Sequence, residues 1–356
     1  MRLGIIGLPQ SGKTTLYNAF TRGTQPTGAV SGKIEIHTGV VDVPDPRVDI
    51  LSKMFNPKKT IYAKVTYADI AGLDGSAGKS GISGTLLNQL SQMDGFIHAV
   101  RCFENDAVPH PSGSVNPLRD LQTMDTEFIL NDLIVVERRL ERLQDERRKG
   151  GGRDKATIDR EIALFERFHA VLSEEKPLRD EELSHEEEKI LPGFTLLSRK
   201  PVLVVFNLAE GQAAPQIEYN HRHTRVEALQ GRLEMDISQL PPEDAAIFME
   251  EYGITEASLN RVIRLSYDLL GLQSFFTVGP DEVRAWTVKR GANAQESAGE
   301  IHTDLQKGFI RAEVVAYEDL IALGGMNEAK AKGKFRLEGK EYIVKDGDIL
   351  NIRFNL

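Results

Sequence analysis

The sequence predicts an α/β core of parallel strands, interrupted by an antiparallel helical hairpin and followed by a small domain of mixed strands. Three observations carry that expectation. A short apolar strand, Leu3 to Ile6, runs into a glycine-punctuated loop and then an amphipathic helix start, Thr15 to Phe20. Pro201 to Phe206 is a continuous apolar run, the mark of a strand buried on both faces. Between them, Ile129, Leu133, Val136, Leu140 and Leu143 recur four and three apart, a coiled-coil seam that Gly150 to Gly152 then breaks.

The bulk properties agree. A chain of 356 residues implies two or three domains, and 40% hydrophobic content supplies them with cores. Acidic residues (53) outnumber basic ones (44), giving a net charge of −9. That excludes wholesale coating of nucleic acid but leaves room for a local basic patch. No apolar run is long enough to cross a bilayer, so no membrane partner is expected, and the opening strand leaves no room for a signal peptide. The single cysteine, Cys102, suits a reducing compartment, so a cytoplasmic location is expected.

At the first loop, Gly7-Leu8-Pro9-Gln10-Ser11-Gly12-Lys13-Thr14 fits GxxxxGK[ST], the Walker A pattern. Strand, loop and helix in that order aim backbone N–H groups and a helix N-terminus at one polyphosphate. Gly7, Pro9, Gln10, Ser11, Gly12, Lys13, Thr14 and Thr15 are the expected binding residues. Lys13 reaches the outer phosphates, which gives it a catalytic part, and the Thr14 hydroxyl takes a place on Mg²⁺. Lys64 to Ala68 then reads as a strand closing on Asp69-Ile70-Ala71-Gly72. In this setting DxxG is a Walker B element, with Asp69 on the metal through water and the Gly72 N–H sensing the γ-phosphate. Leu73 stands where Ras-like enzymes carry a water-orienting glutamine, a task its side chain cannot perform. The stretch from Gly75 to Gly84 reads as a mobile switch segment.

The buried run from Pro201 ends in Asn207-Leu208-Ala209-Glu210. GTPases place Asn-Lys-x-Asp here, the aspartate accepting hydrogen bonds from guanine. With leucine at 208 and glutamate at 210 that selectivity is lost, and adenine is favoured. Asn207, Leu208 and Glu210 are the expected base-binding residues. Leu233 to Ser238 is expected to form the last strand of the core.

Gly7 to Thr15, Asp69 to Leu73 and Asn207 to Glu210 together resemble the YchF family of Obg-related P-loop proteins, the Obg-like ATPases. Phe275 to Gly279, Glu282 to Thr287, Gly299 to Asp304, Gly308 to Glu313 and Asp346 to Asp348 are similar to that family's terminal domain. The resemblance covers nearly the whole chain. It implies an ATP-preferring, GTPase-like P-loop NTPase core with Mg²⁺, a helical insertion, a TGS domain, association with ribosomes, and a role in translation or stress response. Departures fall on Gln10, Ser11 and Thr14, where the family usually has Asn, Val and Ser, and on Lys33 to His37, where it has Thr-Ile-Glu-Pro-Asn. Gly72-Leu73-Asp74-Gly75-Ser76 replaces Gly-Leu-Val-Lys-Gly. These changes bear on hydrolysis more than on binding.

A second periodic stretch, Ile158, Ile162, Phe165 and Leu172, pairs with the first as a hairpin. Arg138, Arg139, Arg142, Arg147, Arg148, Lys149, Arg153 and Lys155 make its tip basic, and Glu174, Glu175, Glu181, Glu182 and Glu186 to Glu188 make its base acidic. A solvated face and a contact with ribosomal RNA phosphates are both open readings. His110, in the loop after the strand Phe96 to Val100, is a candidate to align the attacking water. From Gln273 onward, short strands surround a helix from Ala294 to His302, and Lys345 to Asp348 reads as a hairpin turn between Tyr342 to Val344 and Ile349 to Phe354. That suits a β-grasp fold, as the TGS resemblance implies.

The expected organisation is a P-loop core over residues 1–117 and 194–272, a coiled-coil insertion over 118–193, and a TGS domain over 273–356. The expected activity is an ATPase switch working on ATP, as a monomer. A GTP-hydrolysing assembly factor and a nucleotide-gated binding module with negligible turnover share the same motifs.

Overall fold

The computed structural model describes residues 1–27, 36–71, 73, 82–150, 152–252, 254 and 256–355. The chain begins β1 (Arg2–Ile6), α1 (Lys13–Thr21), β2 (Ile36–Asp42), α2 (Pro46–Phe55), β3 (Lys59–Ile61), β4 (Lys64–Ile70), α3 (Gly84–Ser91) and β5 (Gly95–Arg101). It continues through α4 (Pro117–Lys149), α5 (Lys155–Ser173), α6 (His185–Glu188), β6 (Val202–Asn207), β7 (Thr224–Leu229), α7 (Gly231–Gln239), α8 (Pro242–Glu251) and α9 (Ser258–Leu269). It closes with β8 (Leu272–Val278), β9 (Glu282–Lys289), α10 (Ala294–Ile301), α11 (Thr303–Lys307), β10 (Phe309–Ala316), α12 (Tyr317–Leu323), α13 (Met326–Ala331), β11 (Arg336–Glu338) and β12 (Asp348–Phe354). These elements form two compact units, Met1–Gly39 with Thr66–Leu259, and Val40–Val65 with Asn260–Leu356. Among the described residues, no helix is long and apolar enough to cross a membrane.

In the first unit the sheet order is β2-β4-β1-β5-β6-β7, and β4, β1, β5, β6 and β7 run parallel. Every residue of β5 and β6 is buried, as the uninterrupted apolar run in β6 requires. The parallel arrangement brings the carboxyl ends of β1, β4, β5 and β6 to one edge, where an open α/β sheet binds ligands.

The hairpin is one long helix folded against a second. α4 runs for 33 residues, its start fixed by the Asn116 side chain accepting from the Arg119 N–H and by Pro117 in the first turn. Its opening turns place Leu121, Met124 and Phe128 in the core beneath the sheet. Further along, Ile129 and Val136 pack with Leu164, Phe165, Phe168 and Leu172, and Leu143 closes the seam against Ile158 and Ile162. Asp132 anchors the hairpin's base. Its carboxylate accepts from the backbone N–H groups of Leu197 and Ser198 at 2.8 and 2.7 Å, and from the Ser198 hydroxyl at 2.7 Å. Burial pushes the Asp132 carboxyl up to about 6 against the pull of those donors.

The expected strand at Leu233 to Ser238 is instead part of helix α7. Its alternating Leu-x-Met-x-Ile reads as a strand, but Gly231, Glu234 and Ile237, three apart, are the residues it buries. Glu234 is buried because its carboxylate accepts from the Ser258 and Leu259 N–H groups at the start of α9. The last strand is β7.

The second unit holds the sheet β11-β10-β12-β8-β9-β3 with α10 against it. It takes in Val40–Val65, which the sequence reading leaves in the core, because β3 pairs in parallel with β9. Arg47 on α2 makes an ion pair of 2.8 Å with Asp346. The hairpin expected around Lys345 to Asp348 forms its turn but not its strand pair. β12 lies between β10 and β8, and Ile343 instead bridges to Asn293.

Candidate nucleotide site

The loop after β1 is shaped by positions that need glycine or a left-handed backbone. Gly7 has φ +145, and a Cβ there would lie 2.3 Å from the Ala99 carbonyl oxygen. Gln10 has φ +63 and Gly12 φ +94, so the chain curls tightly before α1. A Cβ on Gly12 would lie 2.1 Å from the Asn207 amide nitrogen. Among the described residues no side chain caps α1, which leaves its first N–H groups open to an anion.

The charged residues meet at this point. The Lys13 ammonium donates to the Gly7 and Leu8 carbonyls, both at 2.9 Å, and burial lowers its pKa to about 8 while Asp69 works the other way. The Thr14 hydroxyl donates to Asp69 Oδ2 at 2.8 Å, and Asp69 Oδ1 is buried without a partner among the described residues. Burial raises the Asp69 pKa, opposed by Thr14, Lys13 and His37. An orphaned carboxylate oxygen beside a hydroxyl is the hard oxygen donor set that Mg²⁺ selects, so these two residues fit the ion. Pro9 and Thr15 are half-buried and Gln10 is exposed along the same loop.

Asn207 is placed differently from its expected contact with the base. It is 3% exposed; its amide nitrogen donates to the Ser11 carbonyl and its oxygen accepts from the Gly231 N–H, each at 3.0 Å. It therefore stitches the phosphate loop to the start of α7. Leu208 packs into the core beneath the sheet, while Glu210 is exposed. The turn carrying them is braced by Gln212, which accepts from the Ala209 N–H at 2.8 Å and donates to the Cys102 carbonyl at 2.6 Å.

His110 is not free in the loop, as the sequence reading has it, but 7% exposed. Its Nδ1 accepts from the Ser112 N–H at 3.1 Å, so Nε2 carries the proton and donates to Asp120 Oδ2 at 2.8 Å. These bonds hold the ring at the head of α4, and swinging it toward a γ-phosphate means breaking them. Leu73 is 2% exposed and packs in the core. Thr38 is exposed on β2, and the His37 ring lies 6.5 Å from that of Tyr17. Gly72, Lys33 and the residues 74–81 of the expected switch lie outside the described residues.

The hairpin's segregated charge is largely paired. At the tip, Arg139 and Arg153 both bind Glu161 at 2.5 Å, Arg147 binds Asp159, and Arg148 and Lys149 bind Asp145. Arg138, Arg142 and Lys155 are exposed and have no ion pair among the described residues. At the base, Glu181 and Glu187 bind Arg167, and Glu188 binds Arg199.

Sequence reasoning missed Arg101, Gly231, Gln212 and Asp132. Only Arg101 left a signal, as a charge closing an otherwise apolar strand.

A parallel sheet whose first strand feeds this loop, with Thr14 against a strand-end aspartate, defines a P-loop nucleotide-binding protein. The comparisons narrow the class. A protein-family model named YchF-GTPase_C, described as a protein of unknown function (DUF933), matches residues 272–355. The ribosome-binding ATPase YchF of Bacillus subtilis is 41% identical over 99% of this chain and 99% of its own. Obg-like ATPase 1 of Rattus norvegicus is 33% identical, covering 100% of this chain and 92% of its own. The solved structure of the Schizosaccharomyces pombe YchF GTPase matches with a TM-score of 0.84 and 30% identity over 99% of this chain and 97% of that one. The chain belongs to the YchF family.

Proposed function

We propose that the chain is a Mg²⁺-dependent ATPase that works on the ribosome. The observation that carries this reading is the Thr14–Asp69 pair at the head of α1, with Asp69 Oδ1 unpaired and Lys13 one residue away. Thr14 and Asp69 would hold the ion, and its positive charge would be what it supplies to the phosphate chemistry. Lys13 leaves the Gly7 and Leu8 carbonyls to take the outer phosphates, and the open N–H groups of α1 hold the rest. Relatives named ribosome-binding ATPases match this chain end to end, which supports the substrate and the partner.

The absence of Asn-Lys-x-Asp at 207–210 favours ATP over GTP. GTP is the second reading, supported by the name of the solved fission-yeast relative. Water orientation falls to His110 once its bond to Asp120 opens, since Leu73 is sunk in the core. The hairpin, residues 118–193, reaches ribosomal RNA through Arg138, Arg142 and Lys155, exposed cations near its tip that have no ion pair among the described residues. Residues 273–356 form the TGS domain. The protein acts as a cytoplasmic monomer.

Phosphate release from ATP, with and without ribosomes, tests the reading. Turnover that rises with ribosomes is expected, and His110→Ala should depress it while leaving ATP affinity intact. Negligible turnover under both conditions would make the chain a nucleotide-gated binding module.

A further inference from the structure

The segment that returns the chain from the hairpin to β6 ties two helices together. Lys200, at its end, turns its ammonium back onto the last turn of α3. It donates to the Leu90 and Ser91 carbonyls at 2.9 and 2.8 Å, and to the Met93 carbonyl just beyond. The closing carbonyls of a helix lack partners within it and carry the negative pole of its dipole, so a cation placed there holds the helix end. Burial lowers the Lys200 pKa to about 8, with Asp94 and Asp132 working the other way.

The same segment is fastened to α4. Asp132 accepts from the Leu197 and Ser198 N–H groups, and the Lys200 N–H donates to the Leu197 carbonyl at 3.1 Å. Residues 197–200 therefore form a strap, held by a carboxylate of α4 on one side and by the end of α3 on the other. Leu86 and Leu90, the buried residues of α3, share one core with Leu197 and with Leu121, Met124 and Phe128 of α4. A cleft of about 360 Å³, bordered by Ser91, Glu188, Phe194 and Arg199, lies beside the strap and leaves it room to shift. Among the described residues, α3 is the first helix after Asp69. It has eight residues and is about 12 Å long, short enough to move as one body.

We propose that Lys200 is the positioning residue that carries the nucleotide state from the phosphate site to the root of the hairpin. The proposal rests on the nucleotide-binding reading above. A γ-phosphate that engages the chain after Asp69 pulls on the amino end of α3. The helix shifts, Lys200 takes the strap with it, and Asp132 passes the movement to α4. A lysine that merely capped α3 would stabilise it equally with and without nucleotide. A coupling makes α3 and the strap respond together.

Hydrogen exchange on the full-length chain, with Mg²⁺ and with or without a non-hydrolysable ATP analogue, tests the coupling. In wild-type protein the analogue should change exchange at α3 and at residues 195–200, each by about fivefold or more. In Lys200→Met the response of α3 should remain, while that of residues 195–200 falls to within about twofold. Lys200→Arg, which keeps the charge and the donors, should keep both responses. If Lys200→Met speeds exchange equally in both states and both responses persist, the lysine is only a cap and the coupling is overturned. Should that variant fail to fold, the wild-type protein decides. Analogue bound by calorimetry, with residues 195–200 unresponsive, overturns the coupling alone. An analogue that does not bind overturns the nucleotide reading and the coupling with it.

Discussion

Lys13 makes ATP binding sensitive to alkali. Burial lowers its pKa to about 8 in the free protein, against an ordinary lysine value of 10.5. A bound triphosphate favours the charged ammonium, so the pKa rises on binding and ATP uptake draws in a proton above pH 8. Below pH 8 the lysine is charged in both states and affinity is level. Above it, the free site must first be protonated, and affinity falls toward tenfold for each pH unit. Between pH 7 and pH 9 the expected loss is roughly tenfold, or about 1.4 kcal/mol. Titration calorimetry in buffers of different ionisation enthalpy reads both quantities, and proton uptake should approach about one per ATP near pH 9. Lys13→Arg, charged throughout, should bind with a flat profile. Unchanged affinity across this range with no proton uptake would refute the buried-ammonium account.

Other predictions concern the braces around the site. Asn207→Ala leaves the Ser11 carbonyl and the Gly231 N–H unpaired, and should lower stability by about 2–4 kcal/mol in urea unfolding and weaken ATP binding with it. Asp132→Asn turns an amide nitrogen toward a backbone N–H at Leu197 or Ser198, and a loss of about 2–4 kcal/mol is expected by the same measurement. Neutralising Arg138, Arg142 and Lys155 together should weaken ribosome co-sedimentation and reduce its salt dependence without changing ATP affinity. An unaltered salt slope would move the ribosome contact away from the hairpin tip.

The parts legible in the sequence were those encoded within a few neighbouring residues. The Gly7 to Thr14 loop can be read because its glycines answer to local backbone needs, φ +145 at Gly7 and φ +94 at Gly12. The α4–α5 seam can be read because helical spacing repeats. What escaped depends on partners far away in the chain. Asn207 looks like a base contact until Ser11 and Gly231 are seen on either side of its amide. Leu233 to Ser238 has a strand's alternation, and only the packing of Gly231, Glu234 and Ile237 makes it a helix. The turn at Lys345 to Asp348 was visible, but the partner of Ile343 at Asn293 was not. The basic tip reads as a cationic fingertip until Glu161, Asp159 and Asp145 take most of its charges.

Calorimetric titration of the full-length protein with ATP and with GTP, each with Mg²⁺ at pH 7, tests the central claim most directly. The account predicts a single site that takes ATP more tightly than GTP and loses Mg²⁺-dependent affinity in Asp69→Asn. Heat from neither nucleotide would contradict it.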